Sequence, residues 1–564
     1  MEKLAIGEEN ETRLKTSAHT PLLYLLIPII AGFSIAHGAL PEPPKWILLF
    51  AAFACVGVAI WSFKWLQSAQ RLMLWSIPFS LGVVLFAWLY YALRIPPPPD
   101  LSKQANREAF VTLEVQRLFA YQPESRNFGG LAKLVTAPTY RPDLKGQTVF
   151  FNCRKADDWK SVGKKSQFKI RGKLEPTPLG TEGFDAYLVQ QGAYLKITQG
   201  DLLSVTQETP RFYRWFKGIN LQWQETLQHG ASTPETQNLA GIATAMLLGE
   251  KAALEPKTKE RFILSGTMHL FAVSGLHVGI VAGFLFIVIS ALQIPAPARP
   301  WIGLVLLLAY VYITGAAPSA VRAWWMAAFF WSANAFLRKP APFSALCASA
   351  IVVLLIDPRQ LFAAGFQLSY TVVAGLLLFG IPLQDWLKHR IDPWKWIPEN
   401  SLGWPQKVLR SSLHFSLGMF AISFTASMFS MPLTIRYFRI LAPGAFLLNI
   451  PLVLIAPLAM TASLFGVIAG SLGFTGLAVF ANRASWVFIR CMDWLVEVFT
   501  RVPQSSLSVS WRWDGFGYLL ATAMLAAGIM LGDKRVRPLL RFGGPIAILL
   551  MSLLLITQIS TNAQ

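Results

Sequence analysis

Apolar runs long enough to cross a lipid bilayer recur along this chain, and they restrict its fold more than any other feature. Residues 21–40, 72–94, 361–384 and 542–558 are runs of this kind. A helix needs about twenty apolar residues to cross the hydrocarbon, and inside lipid each backbone N–H and C=O must be satisfied within the fold. The repetition predicts a polytopic α-helical integral membrane protein of about 10–13 helices. Composition agrees: 54% of the 564 residues are hydrophobic, only 14% are charged and the mean hydropathy is +0.45, whereas soluble chains hold about a quarter charged residues. The first run does not read as a cleaved signal. A tail of mixed charge precedes it and further spans follow almost at once.

Three spans come first, at 21–40, 46–61 and 72–94. Lys64 and Arg71 lie between the second and third, so the positive-inside rule makes the amino terminus cytoplasmic and sends the third span to the far side. There the stiff RIPPPPD (94–100) marks a boundary between the N-terminal membrane region, 1–96, and a soluble domain at 97–205. Within that domain FVTLEVQRLF, TVFFNCR, SQFKIRGKL and AYLKIT carry β-forming residues separated by turn formers. They predict a small external β-barrel of the oligonucleotide-binding (OB-like) type. Residues 206–265 read as amphipathic, interfacial helices. Ser232 and Glu235 have capping-box spacing there, and Pro234 suits a first helical turn. From 266 to 564 the spans crowd together, with basic loops at 337–340, 388–410 and 533–537 expected on the cytoplasmic side. The segment 476–500 carries Arg483, Arg490, Asp493 and Glu497 and is open to lying along the membrane rather than crossing it.

The formal net charge of +20 points to anionic partners, discounted for the basic residues that topology alone collects in cytoplasmic loops. In the soluble domain basic residues are interleaved with Phe110, Phe119, Tyr121, Phe150, Phe151 and Phe168. Stacking faces beside cations suit single-stranded nucleic acid. The residues singled out for that use are Phe110, Phe151, Lys164, Lys165, Lys169 and Arg171. A barrel also needs aromatic rings for its core, and for any single ring the core is the stronger reading.

HLFAVSGLHVGI (269–280) poses the main chemical question. Ser274 and His277 are three apart, so they can meet on a helix, but no carboxylate is near in sequence and GxSxG is missing. Gly266, Ser274, Gly275 and Gly279 instead permit close helix approach or a break, where His269 and His277 line an aqueous path or are satisfied by backbone at an interface. In ITGAAPSAVRAWW (313–325), Ser319 and Arg322 follow a Gly-Ala-Ala-Pro break. The arginine faces either a polar interior or the interface near a helix start. Gln367 and Ser369 in GFQLSYT read as interhelical ties or pore lining, and Asn449, two residues before Pro451, as a kink or a broken helix. Cys55, Cys153, Cys347 and Cys491 are scattered, and no nucleotide-binding GxxxxGK[ST], HExxH or paired His/Cys spacing occurs. No cofactor, metal or catalytic residue is expected.

GTMHLFAVSGLHVGI (266–280), MLLGE (246–250), TGAAPSAVRA (314–323), DPRQLFAAGFQLSYTVVAG (357–375) and PLGTEGFDAYLVQQG (178–192) together resemble the ComEC competence family. The resemblance implies a bacterial inner-membrane channel that passes single-stranded DNA inward during natural transformation, with an external OB-like domain handling the strand. It carries Gly266, His269, Ser274, Gly275, His277, Arg322, Gln367 and Ser369 into the DNA path, beside Ser319 and Asn449. Implied partners are single-stranded DNA, membrane lipids, external DNA-receptor and cytoplasmic motor or strand-binding proteins, and a second copy in a homodimer. Many family members continue into a metallo-β-lactamase-like domain. This sequence shows none of its His/Asp motifs, so no nuclease activity is expected of it. Two other readings stay open: a membrane-embedded Ser/His hydrolase, and a transporter of another anionic polymer or lipid.

Overall fold

The computed structural model describes all residues except 1–20, 39–42, 66–71, 102–105, 120–125, 156–158, 160, 179–182, 336–340, 503–504, 514, 532–535 and 559–564. The N-terminal tail, Tyr121, the basic loop 337–340 and most of 533–537 therefore lie outside the described residues. Helices α1 (Leu23–Gly38), α2 (Lys45–Trp65) and α3 (Leu72–Arg94) open the chain. Gly32 brings α1 against α3 so closely that a Cβ there would fall 2.4 Å from the Val84 carbonyl oxygen.

Strands β1 (Arg107–Leu118), β2 (Asn127–Thr136), β3 (Thr148–Arg154), β4 (Gln167–Pro176) and β5 (Ala193–Gln207) form a closed barrel in the order β1–β2–β3–β5–β4. The β3–β5 pair is parallel and the others are antiparallel. Strict alternation along β4 turns Phe168, Ile170 and Leu174 inward and leaves Lys169 and Arg171 exposed. On β3 both faces are covered. Phe151 enters the main core, while Phe150 packs with Leu131, Leu188 and Ala193 under a short helix, α4 (Phe184–Gln190).

The amphipathic α5 (Arg211–Gln228) leads to α6 (Pro234–Leu248), which is buried on every side from Leu239 onward and forms the centre of the helix bundle. The cap of α6 falls on Thr233 and Thr236, one residue beyond the expected Ser232 and Glu235. Pro234 explains the shift. Its ring pre-sets the first helical turn and holds the preceding residue extended, so Thr233 becomes the N-cap and accepts from the Thr236 N–H at 3.3 Å.

The bundle continues with α7 (Pro256–Leu264), α8 (Gly275–Ala291), α9 (Arg299–Ile313), α10 (Pro318–Ala335), α11 (Pro342–Ile356) and α12 (Ala364–Gly375). A π turn at Leu376–Gly380 joins α12 to α13 (Ile381–Ile391). Then come α14 (Trp404–Phe438), α15 (Ala445–Ser471), α16 (Thr475–Thr500), α17 (Phe516–Met530) and α18 (Pro538–Leu553). A small sheet joins β6 (Ile440–Leu441), β7 (Leu507–Trp511) and β8 (Ile556–Gln558). Among the described residues five helical stretches are long and apolar enough to cross a membrane: Lys45–Ser62, Trp75–Arg94, Ala364–Ile391, Trp404–Phe438 and Ala445–Ser471. Six shorter apolar helices accompany them. The ambiguous segment 476–500 is the continuous helix α16, and three of its charges pair with other helices. Arg490 pairs with Glu235 at 2.8 Å, and Asp493 and Glu497 meet Arg261 of α7 at 3.0 and 3.5 Å.

One contact fixes where the barrel sits. Arg359, in the turn Pro358–Phe362 between α11 and α12, donates from Nη1 to the Gln191 carbonyl at 3.0 Å. Gly192 next to it is left-handed (φ +76°), and a Cβ there would meet the guanidinium at 2.6 Å. The end of α11 and the start of α12 therefore lie at the barrel-side end of the bundle, and Arg322 of α10 joins them through the Gly365 carbonyl.

Candidate functional site

At this end the motif segments converge. Helix α6 ends on Gly249, whose left-handed backbone (φ +78°) closes the last turn onto the Ala245 carbonyl. A Cβ on Gly249 would stand 2.8 Å from Cγ2 of Val273, so the MLLGE element lies directly on HLFAVSG. The phenol of Tyr310, from α9, donates to the Leu247 carbonyl at 2.8 Å.

Helix α7 reverses at Gly266 (φ +73°), which faces the β-carbons of Ala442 and Ala445 at the start of α15. A single turn follows, Met268–Phe271, with Leu270 and Phe271 buried in the bundle core and His269 exposed. His269 Nδ1 lies 3.3 Å from the Gly266 carbonyl oxygen. Ser274 is then the N-cap of α8, and His277 is its partner one turn in. The buried imidazole uses both nitrogens. Nε2–H donates to the Leu270 carbonyl at 2.9 Å, which leaves Nδ1 to accept from the Ser274 hydroxyl at 2.8 Å and from the Ser274 N–H at 3.3 Å. This is capping-box logic with histidine in place of the usual Glu or Gln. The serine–histidine bond expected of a nucleophile and base is present, but the group behind the imidazole is a backbone carbonyl rather than a carboxylate.

Between α9 and α10, Gly315 and Ala316 are both left-handed, at φ +78° and +54°. An alanine in that region is uncommon and holds the break open against its own preference. Just beyond it Ser319 donates to the Val273 carbonyl, joining α10 to the signature segment. Gly275 comes within van der Waals reach of Ala323 on α10: a Cβ there would lie 4.0 Å from Ala323 Cβ. Further along α8, Gly279 and Gly283 continue an exposed face.

Arg322, one turn into α10, is only 3% exposed. Its Nη2 donates to the Gly365 carbonyl at 2.8 Å, its buried Nε has no partner, and no carboxylate reaches it among the described residues. Gln367 ties neighbouring segments together. It donates to the Leu361 carbonyl at 2.9 Å and accepts from the Tyr437 phenol at 2.8 Å, and that phenol meets Tyr518 at 3.0 Å. One glutamine thus links α12, α14 and α17. Sequence reasoning missed Tyr437, Tyr518 and Tyr310, because a tyrosine near a helix end carries no local sign of a partner more than sixty residues away. Ser369 is half-buried on α12 with no hydrogen-bond partner among the described residues. Asn449 lies one turn into α15, where its buried Oδ1 has no partner. Eight of the ten bundle residues chosen from sequence thus lie in the first turns of helices, while Gly266 follows the end of α7 and His269 sits in the turn after it.

On the barrel the six chosen residues separate. Phe151 is fully buried among core side chains, so it offers no face to a strand, and the sequence reading of it is corrected. Phe110 is 62% exposed beneath Arg171, whose guanidinium is paired with Glu108 at 2.8 Å. Lys169 is exposed on the same strand. Lys164 and Lys165 form a turn elsewhere: Lys164 lies over the Tyr213 ring and Lys165 meets Glu114 at 3.4 Å.

Residues 246–535 match the model of the family described as "Competence protein", beginning at the first residue of MLLGE. "ComE operon protein 3" of Bacillus subtilis is 38% identical over 138 residues, which is 24% of this chain and 18% of that protein. "Recombination protein 2" of Haemophilus influenzae is 24% identical over 450 residues, 77% of this chain and 51% of that protein. "Competence protein ComA" of Neisseria gonorrhoeae is 28% identical over 173 residues, 29% of this chain and 24% of that protein. The chain therefore spans about half or less of the curated relatives it matches, and no solved structure matches it. The matched region takes in the converging segments just described and covers more than half of the sequence, so the chain belongs to the Competence protein family.

Proposed function

We propose that this chain is the membrane channel through which single-stranded DNA enters the cytoplasm during natural transformation, seated in the bacterial inner membrane with its barrel outside. Family membership and the relatives' printed names support a role in competence. Five long apolar helices support insertion in a membrane. The observation that carries the reading is Arg322. A guanidinium buried at the barrel-side end of the bundle, held by a carbonyl and neutralised by no carboxylate among the described residues, keeps its charge for an anion that passes. External DNA receptors, a cytoplasmic motor or strand-binding protein, membrane lipids and a second copy are the partners this reading requires.

The test is uptake of labelled DNA into the cytoplasm of a deletion strain complemented with wild type, Arg322→Lys or Arg322→Gln. Loss of one charge-assisted contact, about 1.5–3 kcal/mol, predicts a drop of about tenfold or more for Arg322→Gln, with partial function in Arg322→Lys. Undiminished uptake in the deletion strain would remove the channel assignment and leave transport of another anionic polymer or lipid. We assign the chain no catalytic step. The 2.8 Å Ser274–His277 bond is the one feature that favours a hydrolase, and covalent labelling of Ser274 by a fluorophosphonate would establish that alternative.

A further inference from the structure

Helix α16 lies antiparallel to α15 along the length of both. A Cβ on Gly444, just before α15, would meet the Phe499 ring at 2.8 Å, and a Cβ on Gly470 would lie 3.4 Å from Ala478 Cβ. Between those ends Ser463 and Ser485 share a hydrogen bond of 2.7 Å, and Ser485 donates to the Ala459 carbonyl at 3.0 Å. Helix α15 is one of the five stretches long and apolar enough to cross a membrane, and α16 is one residue shorter. Packed in this register, α16 crosses with it.

Beside that seam the two helices and α8 enclose a cleft of about 430 Å³. Phe284 of α8, Phe465 of α15, and Phe480 and Phe488 of α16 wall it, and Ala481 and Ala484 line it between them. The hollow exists because those two positions carry only a methyl group. Thr461 is the one polar side chain in the lining. Phe465 and Phe480 are 44% and 71% exposed, so the cleft opens on the outside of the bundle. One cation stands at its rim. Arg483 is exposed, directly precedes Ala484 and lies one helical turn from Phe480. The neighbouring arginines are paired, Arg490 with Glu235 at 2.8 Å and Arg501 with Glu497 at 2.6 Å, whereas Arg483 meets no carboxylate among the described residues. A helix of this length measures about 39 Å against about 30 Å of hydrocarbon. Arg483, eight residues after Thr475, therefore has its Cα within about 8 Å of the headgroup layer, which its long side chain reaches.

We propose that α8, α15 and α16 form a binding site for an anionic phospholipid, with one acyl chain in the cleft and the phosphate on Arg483. An apolar cleft beside an unpaired guanidinium asks for a chain and an anion together, and a phospholipid supplies both in one molecule. The aromatic walls hold the chain by burial, and the arginine selects lipids by charge. The proposal rests on the membrane insertion argued above.

The test titrates the full chain in detergent with phosphatidylglycerol or phosphatidylcholine and counts retained lipid by native mass spectrometry. Wild type should hold one phosphatidylglycerol about tenfold more tightly than phosphatidylcholine, as one charge-assisted contact predicts. Arg483→Gln should lose that preference, and Arg483→Lys should keep most of it. Ala484→Phe fills the cleft and should weaken both lipids about tenfold or more, the effect of two methylenes left unburied. Val487→Phe, at a position 61% exposed and outside the lining, should leave both at wild-type values. Arg483→Gln changes an exposed side chain, so it decides the matter even if Ala484→Phe does not fold. If both variants bind lipid as wild type does, the site is overturned while the membrane reading stands. If Ala484→Phe splits a dimer present in wild type and leaves lipid binding unchanged, the face belongs to a second copy and the lipid assignment is overturned. If an alkaline wash without detergent releases the wild-type chain from membranes, the membrane reading falls and the site with it.

Discussion

On the barrel surface Arg171 meets Glu108, Lys173 meets Glu175 and Lys196 meets Asp185. At the barrel-side end of the bundle Arg322, His277, Gln367 and Ser319 each donate to a backbone carbonyl instead. A carboxylate neutralises the cation it orients, whereas a carbonyl orients without neutralising. The two regions therefore contribute differently. Several barrel cations are spent on surface pairs of small worth. The bundle's polar groups hold helix starts in place and leave Arg322 charged.

The largest expected effect tests the barrel half of this contrast. Phe151→Ala empties a fully buried position and should cost about 3–5 kcal/mol, read as lost hydrogen-exchange protection across β2, β3 and β5 in the full chain. Phe110→Ala, on the exposed face, should change stability by no more than about 0.5 kcal/mol. Equal losses at the two positions would mean that the barrel does not separate an inner from an outer face as described.

The bundle half predicts unequal effects within one hydrogen-bonded pair. Ser274→Ala removes a capping hydroxyl, worth about 1 kcal/mol. His277→Ala removes the same cap and also strands the buried Leu270 carbonyl, which adds about 1–3 kcal/mol. Thermal unfolding in detergent should rank His277→Ala clearly below Ser274→Ala. A catalytic dyad would instead lose activity equally in both while the melting temperatures stayed together.

The apolar spans and the barrel were legible because each rests on a local period, 3.6 for helices and 2 for strands. Alternation on β4 reads correctly as Phe168 in and Lys169 out. On β3 the ring singled out for stacking, Phe151, is the inward one, and Phe150 on the outer face is covered by α4. A covering helix more than thirty residues downstream leaves no mark in TVFFNCR. The signature residues were legible as a group but not by role. Nothing near Gln367 announces Tyr437, and nothing near Ser274 shows that its histidine completes a cap. The shifted cap at Thr233 was readable, since Pro234 decides it, and the error there lay in following the Ser–Glu spacing before the proline.

Two acids sharpen the comparison at its smallest scale, because the two regions shift them in opposite directions. The hydrogen bond and charge of Arg171 hold exposed Glu108 below the usual carboxylate range. Its contribution is present above the ordinary pKa and is lost as pH falls through the lowered one. Burial at the end of α6 pushes Glu250 up, against a weaker opposing pull from Lys217. A raised carboxyl pKa means that folding favours the protonated form, so this contribution is full below an ordinary value of about 4.3 and is lost as pH rises through the raised value. Glu250→Gln should therefore melt slightly higher than wild type at neutral pH, and the two curves should meet in acid. A lower melting temperature for Glu250→Gln at neutral pH would show the ionised carboxylate to be stabilising, with Lys217 outweighing desolvation. The end of α6 would then neutralise its charges as the barrel surface does, and the contrast would narrow to Arg322 and the carbonyl-tied helix starts.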